Sequence, residues 1–497
     1  MTAKTSSYLY AIALLLLVVN LLVGNGMTTI WDGVEAMLAW QIQHDAAGFT
    51  FHEQLAALLM GDTLDPFFLR FSGALAVILG LTAYYIFARR LVGTEIVLNT
   101  LALVASSLLM ANLAKVASGD VWAMMLQWLA YAAMIRYLKQ PQLSWQLSFY
   151  ALAALAIWVQ PLQSLIFLLG TAAFLYFMHA DGRRLLRLNP WVMGLLTAGG
   201  LYALQWLDTG GDTFYIGFRT GRFLWVNAVG ILPFLGLVLG GIAEHSQRLG
   251  KRDEQAVLYM GALIFALLGH SLALQPLLAM VAARQMRNYF HKGYPHRGLV
   301  KAGAVLHLVA AACFLILFMI GSFVQFRGLG FQAGLATGGL YWVWSFVAVV
   351  GFVGARASYA RLGTIMSGVL LTTFFWIQFS PLLEVQRNWA QEITEPEGPF
   401  PKPADQFVVG RGEGAFPGVA AYAYAENANT AVLSNATSLQ QAVSEQQAGT
   451  VILAPQSWLP PQLDTMQTDT TVYKGWNAPL QPAVWVRCEV KPKLSGK

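Results

Sequence analysis

Up to about residue 380 the chain alternates long apolar runs with short polar stretches. The runs fall near 8–24, 71–88, 95–113, 121–138, 145–159, 162–179, 191–207, 222–242, 256–270, 271–286, 302–321, 337–355 and 362–379. A membrane-crossing helix needs about 20 predominantly apolar residues, with roughly 17–25 tolerated. The pattern therefore predicts a mainly α, polytopic membrane protein with about 13 transmembrane helices. The adjoining runs 256–270 and 271–286 lie between two basic stretches, SQRLGKRDE (246–254) and RQMRNYFHKGYPHRGLVK (284–301). Positive residues collect in cytoplasmic loops, so the chain is expected to cross and return between them, turning near Gly269-His270-Ser271.

The pattern changes near residue 381. ITEPEGPFPKPADQF reads as a Pro-rich linker, followed by FVVG, TAVLS, a helical SLQQAVSEQQ, TVILA, TTVYKGW and AVWVRCEV. Short apolar strands around a helix predict a small α/β domain. The expected division is 1–380 for the transmembrane domain and 381–497 for the α/β domain.

Composition agrees with a membrane protein: 57% of the 497 residues are hydrophobic and 11% charged, where soluble domains carry about 25% charged. No small-residue cleavage site follows the first run, which reads as a span and not as a removable signal. Cys313 and Cys488 are too few and too far apart for a disulfide framework or a metal site. With a cytoplasmic N-terminus, the short outer loops hold only Arg70, Lys115, Arg219, Arg222 and Arg327. The other loops are richer in Lys and Arg, an asymmetry that predicts an extracytoplasmic C-terminal domain.

The outer loops also hold the candidate chemistry. TTIWDGVEAMLAW (28–40) places Asp32 and Glu35 at i, i+3, on one face of a helix. They read as a paired carboxylate site or as the wet face of an interfacial helix. Asp120, in AKVASGDVWAMM, stands where the third span ends and the fourth begins; Ser118 or Asp120 also fits a helix cap. In FYIGFRTGRFLW, Arg219 and Arg222 lie one turn apart among aromatics, suited to a phosphate by charge-assisted hydrogen bonds or to anionic headgroups. His270 precedes Gln275-Pro276, a polar break that belongs either in a protein-lined cavity or in an exposed turn.

In their order these features resemble the GT-C membrane glycosyltransferases, in particular the lipid A aminoarabinose transferases and protein O-mannosyltransferases. DGVEAMLAW and FHEQLAALLMGDTLDPFFLRFSGAL…ARRLVG resemble that group's DEARYAE-like helix and its KPPL…G…ALRLPSAL…RRLFG stretch. SGDVW resembles its R-x-D turn, GRFLWVNAVGILPFLGLVL its RF…GLLPW, and GHSLALQPLLAMVAA its K…Y-x-LPALPALALLAA. The layout covers nearly the whole chain. The resemblance implies inverting sugar transfer from a polyprenyl-phosphate carrier to a periplasmic acceptor (lipid A, a glycan or a protein), in a bacterial inner membrane. It further implies that Asp32 or Glu35 acts as base with Asp120 supporting it. Arg70, Lys115, Arg219, Arg222 and His270 would hold the lipid phosphate.

The chain departs from the pattern at Val34, where the usual base aspartate stands, at His52-Glu53-Gln54 in place of KPP, and at Val159 in place of a lysine. A second reading follows: a catalytically degenerate protein of the same fold that binds a lipid-linked sugar or assists envelope assembly. A secondary transporter is a third, disfavoured by the lack of internal repeats and of intramembrane charges suited to ion coupling. No cofactor, metal or nucleic acid is expected; membrane lipids and the polyprenyl-linked donor are the expected partners.

Overall fold

The computed structural model describes residues 3–23, 51–60, 66–116, 118–185, 220–379, 406–410, 431–433, 437, 450–455, 468–477 and 481–490. The chain divides into two compact units. One comprises Met1–Asn25, Thr50–His52 and Arg70–Phe379, the other Gly26–Phe49, Glu53–Leu69 and Ser380–Lys497.

The described helices are α1 (Ala3–Val23), α2 (Phe51–Met60), α3 (Pro66–Val92), α4 (Thr94–Ser106), α5 (Leu108–Leu113), α6 (Asp120–Lys139), α7 (Leu143–Val159), α8 (Pro161–Met178), α9 (Thr220–Gly230), α10 (Leu235–Leu249), α11 (Glu254–Leu268), α12 (Leu274–Asn288), α13 (Arg297–Val353) and α14 (Ala357–Phe374). Among the described residues five helices are long and apolar enough to cross a membrane, or six if the bent pair at 220–249 is one span. The chain is a mainly helical, multi-pass membrane protein. The predicted run 191–207 lies outside the described residues.

Several apolar runs are not simple rods. The run 95–113 is two helices, because Ser107 leaves the helical region (φ −64°, ψ 125°) and caps α5 by accepting from the Met110 amide. The run 222–242 bends by 56° between Thr220–Gly230 and Leu232–Leu249. Pro233 sits at that bend, and proline can neither donate a backbone bond nor accommodate the preceding turn. The chain breaks between α11 and α12 where the basic flanks predict a turn, with His270 in the left-handed region at φ 50°. Runs 302–321 and 337–355 both belong to α13, whose two arms meet where His307 Nε2 lies 3.0 Å from the Tyr341 hydroxyl and 3.2 Å from Ser345 Oγ.

Small residues let the helices approach closely, the usual device where lipid gives no hydrophobic drive to association. A Cβ on Gly368 would lie 1.8 Å from the Ser106 carbonyl oxygen, and one on Gly303 would lie 2.3 Å from Gly236 Cα. α6 is the most buried long helix of the first unit. Its Trp128 stacks on Tyr84 at 4.1 Å and donates to Met280 Sδ at 3.1 Å.

In the second unit five strands form one sheet in the order β2-β1-β3-β5-β4. They are β1 (Gln406–Gly410), β2 (Ala431–Leu433), β3 (Thr450–Pro455), β4 (Thr468–Asn477) and β5 (Gln481–Val490). β1 pairs in parallel with β2 and β3, while β5 runs antiparallel to both β3 and β4. Each strand falls on one of the apolar segments singled out in the sequence; the intervening helical segment SLQQAVSEQQ lies outside the described residues.

Candidate functional site

Where an apolar helix breaks, its freed backbone groups need partners, since hydrocarbon offers none. Here glutamines and asparagines tie three breaks together. Ser107 Oγ donates to Gln275 Oε1 at 3.0 Å, and Gln275 Nε2 donates to the Asn227 carbonyl at 2.8 Å and to its Oδ1 at 3.0 Å. Asn227 Nδ2 in turn donates to the Phe223 carbonyl at 2.8 Å. The α4–α5 break, the bent helix α9 and the α11–α12 turn thus share one set of buried hydrogen bonds. A second set runs from Ser271 Oγ to Gln127 Oε1, from Gln127 Nε2 to Ser164 Oγ at 2.7 Å, and from Ser164 Oγ to the Ala156 carbonyl at 2.7 Å.

Two of the predicted cations come together at the edge of this layer. Arg70, in the first turn of α3, and Lys115, in the turn between α5 and α6, are each 1% exposed. The Lys115 ammonium donates to the Asn20 carbonyl near the end of α1 and lies 5.3 Å from the ring centre of Trp376. Trp376 Nε1 donates to Asn112 Oδ1 at 2.7 Å. Trp376 stands in a π-helical turn, Phe375–Phe379, that follows α14; such turns are rare and recur at functional sites. Burial, and then the neighbouring Arg70 charge, pull the Lys115 ammonium down from an ordinary 10.5 to about 7.

Asp120 is 2% exposed and opens α6. Gly119 is the capping residue, and the Ser118 hydroxyl makes no hydrogen bond. Asp120 Oδ1 accepts from Gln160 Nε2 at 3.3 Å. Gln160 precedes Pro161 at the start of α8, so two helix N-termini face this carboxylate's neighbourhood, a favourable field for an anion. Val159, where the motif resemblance expects a lysine, is fully buried.

The His270 ring lies 5.1 Å from that of Phe223, and Arg222, which precedes Phe223 on α9, is exposed. Asp32, Glu35 and Arg219 lie outside the described residues. Asn20, Asn112, Gln160 and Trp376 were not singled out by sequence reasoning. The Gln-Pro pairs at 160–161 and 275–276 carry a signal, a polar side chain followed by a residue that starts a helix.

An apolar groove of about 380 Å³ lies between α5, α9, α13 and α14. Leu109, Trp225, Val229, Phe314, Phe318 and Phe375 are among its walls, and Asn112 is one of its few polar members. The groove thus meets, through Asn112, the tryptophan that carries Lys115. An apolar slot linked through Asn112 and Trp376 to a buried ammonium suits a long-chain lipid with an anionic head.

No family model matches the chain, and no curated protein matches it in sequence. Its fold is similar to that of ArnT from Cupriavidus metallidurans in the apo state, with a TM-score of 0.66 at 15% identity over 98% of each chain. It is also similar to ArnT from Cupriavidus metallidurans bound to undecaprenyl phosphate, with a TM-score of 0.63 at 14% identity over 98% of each chain. The chain therefore shares the fold of these two structures over nearly its whole length.

Proposed function

We propose that the protein is a polyprenyl-phosphate-dependent glycosyltransferase of a bacterial inner membrane, with its site on the extracytoplasmic side. The observation that carries this reading is an apolar groove lined by Asn112, which accepts from Trp376, whose ring faces Lys115 with Arg70 as its charged neighbour. The relative bound to undecaprenyl phosphate supports the same class of donor. In this reading residues 1–380 form a bundle of about 13 spans, and 381–497 an extracytoplasmic α/β domain built on the five-stranded sheet.

The chemistry follows from the groups present. The acceptor hydroxyl loses its proton to a carboxylate, for which Asp32 and Glu35 are the candidates, and Asp120 orients the reacting groups. The new acceptor O–C1 bond forms as the bond from C1 to the phosphate oxygen breaks, and the electron pair leaves with the polyprenyl phosphate. Arg70, Lys115, Arg219, Arg222 and His270 supply positive charge to that leaving group. Attack opposite the phosphate inverts the anomeric centre. No step needs a cofactor.

The buried Val159 and the loss of the other family cations favour one competing reading, a binding protein of the same fold without turnover. Mass spectrometry of the envelope separates the two. Lipid A, glycosylated envelope proteins and polyprenyl-linked sugars are compared in a null strain restored with wild type or with Asp32→Asn plus Glu35→Gln. The transferase reading expects a sugar-bearing product to vanish in the null, return with wild type and stay absent with the double variant. Equal restoration by both removes those acids from the chemistry and favours the binding protein.

A further inference from the structure

A second apolar groove, of about 290 Å³, lies between α1, α3 and α4. Its walls include Leu14, Leu17 and Val18 of α1, Ile78 and Leu81 of α3, and Leu98 of α4. Thr82 also lines it but turns its hydroxyl back to the Ile78 carbonyl at 2.8 Å, which leaves a methyl on the wall. Along α3 the lining runs from Val77 to Tyr85, about 12 Å at 1.5 Å per residue. That length takes one stretch of acyl chain.

The polar end of this groove is basic. Tyr85 lines it, and one turn further along the same face of α3 the Arg89 guanidinium lies 5.5 Å from the Tyr85 ring centre. Arg89 and Arg90 are both exposed. The acid at the start of α4, Glu95, is engaged elsewhere: its Oε1 lies 3.0 Å from Arg361. Arg136, held 4.9 Å over the Trp145 ring, adds a third positive charge near Arg90. Arg70 opens α3 and Arg89 closes it, about 28 Å apart along the helix, so this end is a membrane thickness away from the Lys115 cluster.

We infer that the groove of α1, α3 and α4 holds one acyl chain of an anionic glycerophospholipid, with its phosphate on Arg89 and Arg90. The inference does not depend on the transferase reading. A lipid chain fits walls that are nearly all aliphatic, and a phosphate diester complements two exposed guanidinium groups at the interface. A zwitterionic lipid carries an ammonium that these arginines repel.

Native mass spectrometry of the full chain in mild detergent tests this. Phosphatidylglycerol and phosphatidylethanolamine of identical chains are added in turn, to wild type, to Arg89→Gln plus Arg90→Gln, and to Ile78→Trp. Wild type should retain phosphatidylglycerol in preference to phosphatidylethanolamine. At about fivefold per arginine near a charged surface, the double variant should lose roughly thirtyfold of that preference. Ile78→Trp fills the groove and should abolish retention of both lipids. Because Ile78→Trp also disturbs packing, the decision rests on the exposed arginines, with a gel-filtration profile as the check of folding. Equal retention of the two lipids by wild type overturns the inference, as does an unchanged preference in the double variant. Displacement of phosphatidylglycerol one-for-one by undecaprenyl phosphate also overturns it, since the groove would then belong to the donor lipid.

Discussion

If Lys115 holds the donor phosphate as proposed, donor binding depends on pH in a way that can be worked out in advance. The perturbation is Lys115→Arg. In the free protein the lysine ammonium, buried and beside Arg70, titrates at about 7. If only the ammonium form binds the lipid phosphate, apparent affinity follows the protonated fraction. That fraction falls from about one half at pH 7 to about one hundredth at pH 9, so affinity should drop about fiftyfold. The lipid's own second ionisation lies near pH 6 and is nearly complete across this window. Arginine keeps its charge throughout, so the variant should bind with a flat profile over the same range. Titration of a short-chain polyprenyl phosphate into the detergent-purified protein, between pH 7 and pH 9, reads both curves. Stability carries the opposite sign. The folded lysine titrates below the unfolded one, so the unfolded chain holds more protons between about 7 and 10.5. The ligand-free protein should therefore gain stability from this group as pH rises through that window. Parallel binding curves for wild type and Lys115→Arg would refute the reasoning, because the fall would then belong to another group.

Four further outcomes are expected. Val226 also lines the larger groove; Val226→Trp fills it and should cut retention of undecaprenyl phosphate about tenfold, a loss near 1.4 kcal/mol, read by lipid extraction from the purified protein. Asp120→Asn should lower turnover about a hundredfold while leaving donor binding unchanged, as separated by single-turnover kinetics and lipid titration. Gln275→Leu strips hydrogen bonds from Ser107 and Asn227 and should destabilise the bundle by about 1–3 kcal/mol for each polar group left unpaired, read by thermal unfolding in detergent. Gly368→Ala should cost about 1–3 kcal/mol or more, because its methyl meets backbone and not a movable side chain; the same melting assay measures it.

The periodicity of apolar runs located most of the described helices and all five strands, because both depend on local patterning. It also found the α11–α12 break, since the basic stretches on either side require a return. It missed the Ser107 break and joined α4 to α5, as a serine inside an apolar run barely changes hydropathy while its capping bond decides the backbone. It kept apart the runs 302–321 and 337–355, which fall on the two candidate spans of α13, Arg297–Val324 and Gly328–Val353. Charge and position singled out Arg70, Lys115 and Asp120, and the structure buries all three. Trp376 could not be singled out that way, because its partners are Asn112 and Lys115, more than 250 residues earlier; an isolated tryptophan near a span end reads as an interfacial anchor. Distance along the chain hid the contact, not any weakness of its chemistry.

The near-contact of Gly368 with Ser106 has a consequence for how the protein is made. Ser106 adjoins the break at Ser107, so that kinked carbonyl end enters the bilayer long before the residue that covers it. Gly368 is synthesised some 260 residues later, on the last described helix. Until then the early helices must keep this backbone shielded by lipid, by the insertion machinery or by each other. A chain stopped before Ala357 would lack its cover altogether, and membrane quality control would be expected to meet it as an unfinished protein even though every earlier helix had been inserted.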